Sequence, residues 1–227
     1  MESLTERILF EDNHLIIVNK LPGEIVQGDK TGDKSLLDDV KEYIAQRSGK
    51  QGNVFAGLVH RIDRPVSGAI VFARTSKSLS RMTQMVKDRS FYKTYWAIVR
   101  QAPPQQEETL VHYLVKNEKQ NKSYVCSDSA PGARQASLKY TLISSSKSFH
   151  LLEIELYTGR HHQIRAQLAA VGCPIAGDLK YGSERSNQDG SICLHARKVS
   201  FEHPVRREML EIIAPVSNEM PWKLFVL

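Results

Sequence analysis

The chain has 227 residues, with 31 Lys and Arg against 25 Asp and Glu, a formal charge of +6 and 41% hydrophobic residues. A chain of this length buries roughly 70% of the surface its unfolded form exposes, so a core needs neither disulfides nor a structural metal. No apolar run approaches the roughly 20 residues that span a bilayer, and the acidic start carries no signal-peptide pattern, which argues against membrane and secreted classes.

In chain order, Leu15 to Val18 is a short apolar run closed by Asn19-Lys20-Leu21-Pro22-Gly23, which reads as a buried strand and a turn. Ser35 is an N-cap candidate with Asp38 three residues on. Leu36, Leu37, Val40, Tyr43 and Ile44 then repeat at helical spacing as far as a Gly49 stop. Residues 69–73 read as a strand, and Ser76 to Met85 as a helix whose Leu79, Met82 and Met85 or Val86 form an apolar side of core type. Thr94 to Val99 is β-branched and aromatic, hence a strand, and residues 102–108 form a polar loop. Ala136, Leu138, Tyr140 and Leu142 alternate, as do Leu152, Ile154 and Leu156, which predicts adjacent antiparallel strands joined across 144–148. A helix is expected from about His162 to Val171, stopped by Gly172, and strands near 192–201 and 208–213 close the chain. The expected fold is α+β: a single mixed domain with a central, largely antiparallel β-sheet flanked by helices. Cys126, Cys173 and Cys193 are odd in number and form no CxxC pair, which suits free thiols in a cytoplasmic protein and offers no zinc site.

The charge is unevenly distributed. Residues 1–50 sum to −3, while residues 51–100 sum to +7. Such a block is either a solvated face or the footprint of a polyanion.

Three clusters can carry chemistry. The first is His60-Arg61-Ile62-Asp63-Arg64-Pro65-Val66-Ser67-Gly68, a charged loop between two apolar segments. Flanking cations lower a carboxylate pKa, so Asp63 is expected to be an anion, suited to act as nucleophile or base; alternatively it ties down a turn. The second is Thr158-Gly159-Arg160-His161-His162-Gln163-Ile164-Arg165 at a predicted helix start, either an anion site or an ordinary basic first turn. Its adjacent histidines point about 100° apart if helical and have no third ligand at a fitting spacing, so no metal site is expected. The third is Tyr92, Lys93, Tyr95 and Trp96. Lys93 and Tyr95 share a strand face, and the rings serve either base stacking or core packing.

In order along the chain, LIIVNKLPG (15–23), HRIDRPVSG (60–68), KTYWAIV (93–99) and LYTGRHHQIR (156–165) resemble successive motifs of the RluA-like branch of the RsuA/RluA pseudouridine synthase superfamily. Ala176-Gly177-Asp178 with Tyr181-Gly182, Leu194-His195-Ala196 and His203-Pro204 are similar to its closing motifs. The departures are Leu21 for a usual Pro, Val66 for a usual Thr and Arg100 for a common Gly; Val66 removes a hydroxyl from the Asp loop.

The resemblance implies an isomerase that turns uridine into pseudouridine on a flipped-out base in a structured rRNA or tRNA stem-loop. Asp63 would be the catalytic carboxylate, attacking the sugar or removing a sugar proton. Arg165 would pair with it, and Tyr95 would lie against the uracil ring. Arg61 would enter the vacated stack, with His60, Arg64, Lys93, Arg160 and His161 as further RNA-binding residues. The base is detached, rotated and rejoined with no atoms lost, so neither cofactor nor metal is implied. RNA rather than DNA or membrane is the expected partner, and the protein is expected to be a monomer. A single catalytic domain over 1–227 is implied, with no separate N-terminal RNA-binding domain. The basic residues Arg61, Arg64, Arg74, Lys77, Arg81, Lys87, Arg89 and Lys93 are then expected to surround the Asp loop as an RNA track. The alternatives are a non-catalytic RNA-binding or ribosome-assembly factor on the same fold and, further off, a carboxylate-dependent hydrolase of a phosphorylated substrate.

Overall fold

The computed structural model describes residues 3–28, 32–49 and 54–225, so the expected domain limits at 1 and 227 lie outside the described residues. The first half of the chain carries β1 (Ile8–Glu11), β2 (Leu15–Lys20), α1 (Leu36–Ser48), β3 (Gly57–Leu58), β4 (Ser67–Ala73) and α2 (Ser76–Lys87). Then follow β5 (Tyr92–Val99), β6 (Glu107–Asn117), β7 (Lys122–Cys126), β8 (Arg134–Ser145), β9 (His150–Leu156), α3 (Gln163–Ala170), β10 (Leu194–Glu202) and β11 (Met209–Ile213). The fold is α+β, with antiparallel strands predominating. The chain forms two compact units, one of Met1–Tyr92 with Ala196–Pro215 and one of Lys93–His195 with Val216–Leu227.

In the first unit β1–β2, β2–β4, β3–β4 and β10–β11 pair antiparallel. Leu15, Ile16, Ile17 and Val18 are all fully buried, as a continuous apolar run requires when both faces of a strand are covered. One face packs Leu15 and Ile17 with Ala69, Val71, Met82, Phe91 and Phe201, and Leu79, Met85 and Val86 of α2 close over them. The methionine side of α2 is therefore core, as its spacing predicted. Ser35 and Asp38 form a reciprocal capping box at the start of α1, and Gly49 ends it in the left-handed conformation with φ 62°. Gly68, at φ +114°, lies so close to the Ala196 backbone that a Cβ would collide with its carbonyl oxygen and nitrogen.

In the second unit β5 pairs with β9, β9 with β8, β8 with β6 and β6 with β7, all antiparallel. The expected alternation holds in β8, where Ala136, Leu138 and Tyr140 are fully buried. The join between β8 and β9 is shorter than 144–148, because β8 continues to Ser145 before the Ser146–Phe149 turn. Strands β6 and β7 were not expected. Only Leu110 and Leu114 of β6 are buried, four residues apart, so its sequence lacks the two-residue alternation that marks a strand. Among the described residues no helix is long and apolar enough to cross a membrane.

One expectation about charge is revised. β2 and β4 pair with Lys20 opposite Gly68 and Leu15 opposite Ala73. The Asp63 loop enters β4 at its Ser67 end, whereas Arg74, Lys77 and Arg81 follow its Ala73 end, about 20 Å away at ~3.4 Å per residue. Sequence proximity had placed them around one loop; a fully extended strand separates them.

Candidate active-site residues and the family they belong to

The Asp63 loop is held by its main chain and by one buried amine. Val66 N–H donates to Asp63 O at 3.0 Å, and Gly23 N–H donates to Arg64 O at 2.8 Å. Ile62 and Val66 are buried, whereas Arg61 and Arg64 are exposed and Asp63 is half-buried. Val66, in place of a threonine, acts as an apolar anchor.

Lys20, at 0% exposure, points its ammonium at the same loop, donating to Leu21 O at 2.8 Å, Arg64 O at 3.0 Å and Val66 O at 2.7 Å. Three acceptors match the three donors of the charged form. Burial pulls its pKa down to about 7, opposed by the negative charges of Glu24 and Asp63. Glu24 fixes the neighbouring turn by accepting from Leu21 N–H at 2.8 Å and pairing with Arg7 at 2.8 Å. Sequence reading passed over Lys20 as a functional residue. Its signal was a lysine two residues beyond a wholly apolar run, at the end of the same strand, where a charge needs a dedicated set of partners.

Arg64 donates from Nε to Gly23 O at 2.9 Å and pairs with Asp33 at 3.0 Å, both groups about half exposed. His60, expected at the RNA, also packs within the fold. Its ring packs on Phe91 with centroids 5.1 Å apart, and Nε2 accepts from Val71 N–H at 3.3 Å. An apolar neighbour and a strand amide thus set the ring's direction.

In the second unit Tyr95 is 6% exposed, opposite Ile154 on β9, while half-buried Trp96 faces the other way and donates to Glu153 at 3.2 Å. Lys93 shares the Tyr95 face, and burial lowers its pKa. Its Nζ lies where a Cβ on residue 159 would come within 3.3 Å, so Gly159 leaves room for it.

The segment from Thr158 into α3 is bound from within. Gln163 Oε1 accepts from Thr158 Oγ1 at 2.8 Å and from Arg160 N–H at 2.9 Å, and its amide nitrogen donates to Ser137 O at 3.1 Å. α3 begins one residue later than expected, because His162 takes the left-handed conformation with φ 51°. His161 and His162 are therefore not successive helical residues, and their rings stack at 3.8 Å rather than diverging. His161 is held by Ser123 Oγ at 2.9 Å and Asn121 Oδ1 at 3.1 Å. Burial and the charge of Arg165 hold His162 well below the usual histidine range, hence neutral, with Nδ1 3.0 Å from Tyr181 Oη. Arg160 is exposed and donates to Gln135 O at 3.0 Å.

Arg165 is 5% exposed and donates to Asp178 from two nitrogens, Nε to Oδ2 at 2.7 Å and Nη2 to Oδ1 at 2.8 Å. Its guanidinium also lies 5.0 Å from the centre of the Tyr181 ring. Two of five donors and one ring fix its plane. Sequence reading gave Arg165 a single carboxylate partner, Asp63; Asp178, 13 residues on, holds it within its own unit. The motif order had marked Asp178 and Tyr181 but assigned them no task.

Residues 14–170 match the family of RNA pseudouridylate synthases. The chain belongs to the RNA pseudouridylate synthase family. Within it, the chain is similar to RluA-like members. It is 33% identical over 217 residues to the Bacillus subtilis protein named uncharacterized RNA pseudouridine synthase YhcT, covering 94% of this chain and 69% of that one. It is 29% identical over 223 residues to ribosomal large subunit pseudouridine synthase D of Zymomonas mobilis, covering 94% and 70%. These relatives are longer, and the chain spans 65 to 70% of the lengths of the first matched. The structure titled human RNA pseudouridylate synthase domain containing 4 shares the fold, with TM-score 0.80 at 24% identity over 94% of this chain and 90% of that one.

Proposed function

We propose that this pseudouridine synthase isomerises uridine to pseudouridine in structured RNA, with Asp63 as the catalytic carboxylate. The observation that carries the reading is the buried Lys20 ammonium, two of whose three bonds go to the backbone of the loop bearing Asp63, at Arg64 O and Val66 O. A desolvated charge is a costly way to close a turn, and it is understandable where a carboxylate must be held in one place.

Tyr95 and Arg165 take the roles the motifs imply, at the uracil ring and as the cation for the carboxylate. Their environments suit this: Tyr95 is buried beside a strand lysine, and the plane of Arg165 is fixed by Asp178 and Tyr181. Extruding a uridine costs a few kcal/mol, and the exposed Arg61 can offset part of this by stacking in the gap. Arg64, Lys93, Arg160 and His161 support the RNA backbone. The relative named for the large ribosomal subunit makes large-subunit rRNA the first substrate to try.

The test is tritium release from carbon 5 of uridine-labelled rRNA. Wild type should release tritium. Asp63→Asn should release none while keeping its unfolding midpoint and an RNA affinity within a few-fold of wild type. Turnover by Asp63→Asn, or none by wild type across rRNA and tRNA, removes the assignment.

A further inference from the structure

We propose that a cleft at the far end of β4 from the Asp63 loop binds a backbone phosphate of the RNA substrate, outside the target nucleotide; this rests on the RNA reading above. The cleft has a volume of about 480 Å³ and is lined by His14, Thr75, Lys77, Ser78, Arg81, Val205 and Arg207. Three of these residues are cations and none is a carboxylate.

Local structure directs further positive charge there. Thr75 caps α2, its Oγ1 accepting from Ser78 N–H at 3.1 Å. Helix geometry leaves the preceding amides of Ser76 and Lys77 without an intrahelical acceptor, at the positive end of the helix dipole. Arg81 is braced against Pro204 O at 2.6 Å. Arg207 pairs with Glu202 at 2.8 Å, but the two groups are 64% and 45% exposed, a pairing a phosphate readily outcompetes.

The occupant follows from size and lining. The volume exceeds that of a lone phosphate and accommodates a phosphate with its sugar. The lining holds no Phe, Tyr or Trp, so a base finds little to stack on. A sugar-phosphate link of a longer chain fits better than a free nucleotide. From the cleft, α2 carries Lys87 and then Arg89 on toward Phe91, against which His60 of the Asp loop packs. Cations thus mark both ends of the roughly 20 Å of β4.

The experiment is a fluorescence-anisotropy titration of the full chain with a fluorescein-labelled rRNA stem-loop, repeated from about 50 to 300 mM KCl. Lys77→Gln and Arg207→Gln should each lower the magnitude of the log–log salt slope by part of one phosphate's share, and the double variant by about 0.7 to 0.9, the share of one phosphate. Lys198→Gln, on β10 outside the cleft, should leave the slope unchanged. Unchanged slopes in both single variants and in the double variant overturn the cleft. So does free UMP that binds wild type but not the double variant while RNA slopes stay equal. Slopes that shift in a chain releasing no tritium leave the cleft standing and remove only the catalytic reading. A wild type that binds no RNA removes both.

Discussion

Replacing Lys20 by Met keeps the side chain's length and removes its charge and donors. The three bonds to Leu21 O, Arg64 O and Val66 O are charge-assisted, each with a net value of about 1.5 to 3 kcal/mol, so their loss costs about 4.5 to 9 kcal/mol. Against this stands the burial of the charge. A pKa lowered from 10.5 to about 7 corresponds to about 5 kcal/mol, which Met does not incur. The remainder, centred near 2 kcal/mol, lowers the unfolding midpoint by roughly 4 to 8 °C for a chain of this size. Turnover should fall much further, by roughly 100-fold or more, because a catalytic group displaced by about 1 Å costs that much.

The pH dependence has a definite sign. The folded-state pKa of Lys20 lies below the unfolded value, so between about pH 7 and 10.5 the unfolded chain binds more protons. The group's contribution to stability therefore rises with pH across that window, by up to about 1.4 kcal/mol per pH unit. Lys20→Met lacks this increment, and the stability gap between wild type and variant should widen as pH rises. Urea unfolding at several pH values and tritium release at saturating RNA measure the two effects. Wild-type turnover in Lys20→Met, or a gap that stays flat with pH, would refute the reasoning.

Gly68→Ala should destabilise the first unit by more than about 3 kcal/mol, because it adds a backbone clash with Ala196 to an unfavourable φ. Gly23→Ala, at φ +86° with open space around it, should cost only about 1 kcal/mol, and equal unfolding midpoints for the two would disprove the close approach. Gly159→Ala should leave the unfolding free energy within about 0.5 kcal/mol of wild type yet weaken RNA binding by displacing Lys93 Nζ. Since burial lowers the Lys93 pKa, raising the pH removes that cation earlier than an exposed lysine's; Lys93→Arg should give a flatter affinity profile above neutral pH, and identical profiles would exclude Lys93 from the RNA contact.

Much of the fold and the candidate site could be read without coordinates. The Ser35–Asp38 cap, the buried run of β2, the alternation of β8 and the apolar side of α2 are local patterns, set by periods of 2 and 3.6 residues that tertiary contacts had no need to override. The motif order placed Asp63, Tyr95 and Arg165 on a loop, a strand and a helix, where they stand. β6 escaped notice because Val111, Tyr113 and Val115 on its less buried face blur the alternation that marks a half-covered strand, and the start of α3 shifted because His162 adopts a conformation that no pattern of neighbours prescribes.

Partners were the other matter. That Lys20 serves three carbonyls up to 46 residues away, that Asp178 rather than solvent holds the outer edge of Arg165, and that His60 packs on Phe91 all depend on which chain segments meet. The +7 block shows the difference most clearly. Composition reports how many cations a stretch holds, but a strand rising ~3.4 Å per residue carries some of them about 20 Å from the others, and only the folded chain shows that they stand in two places.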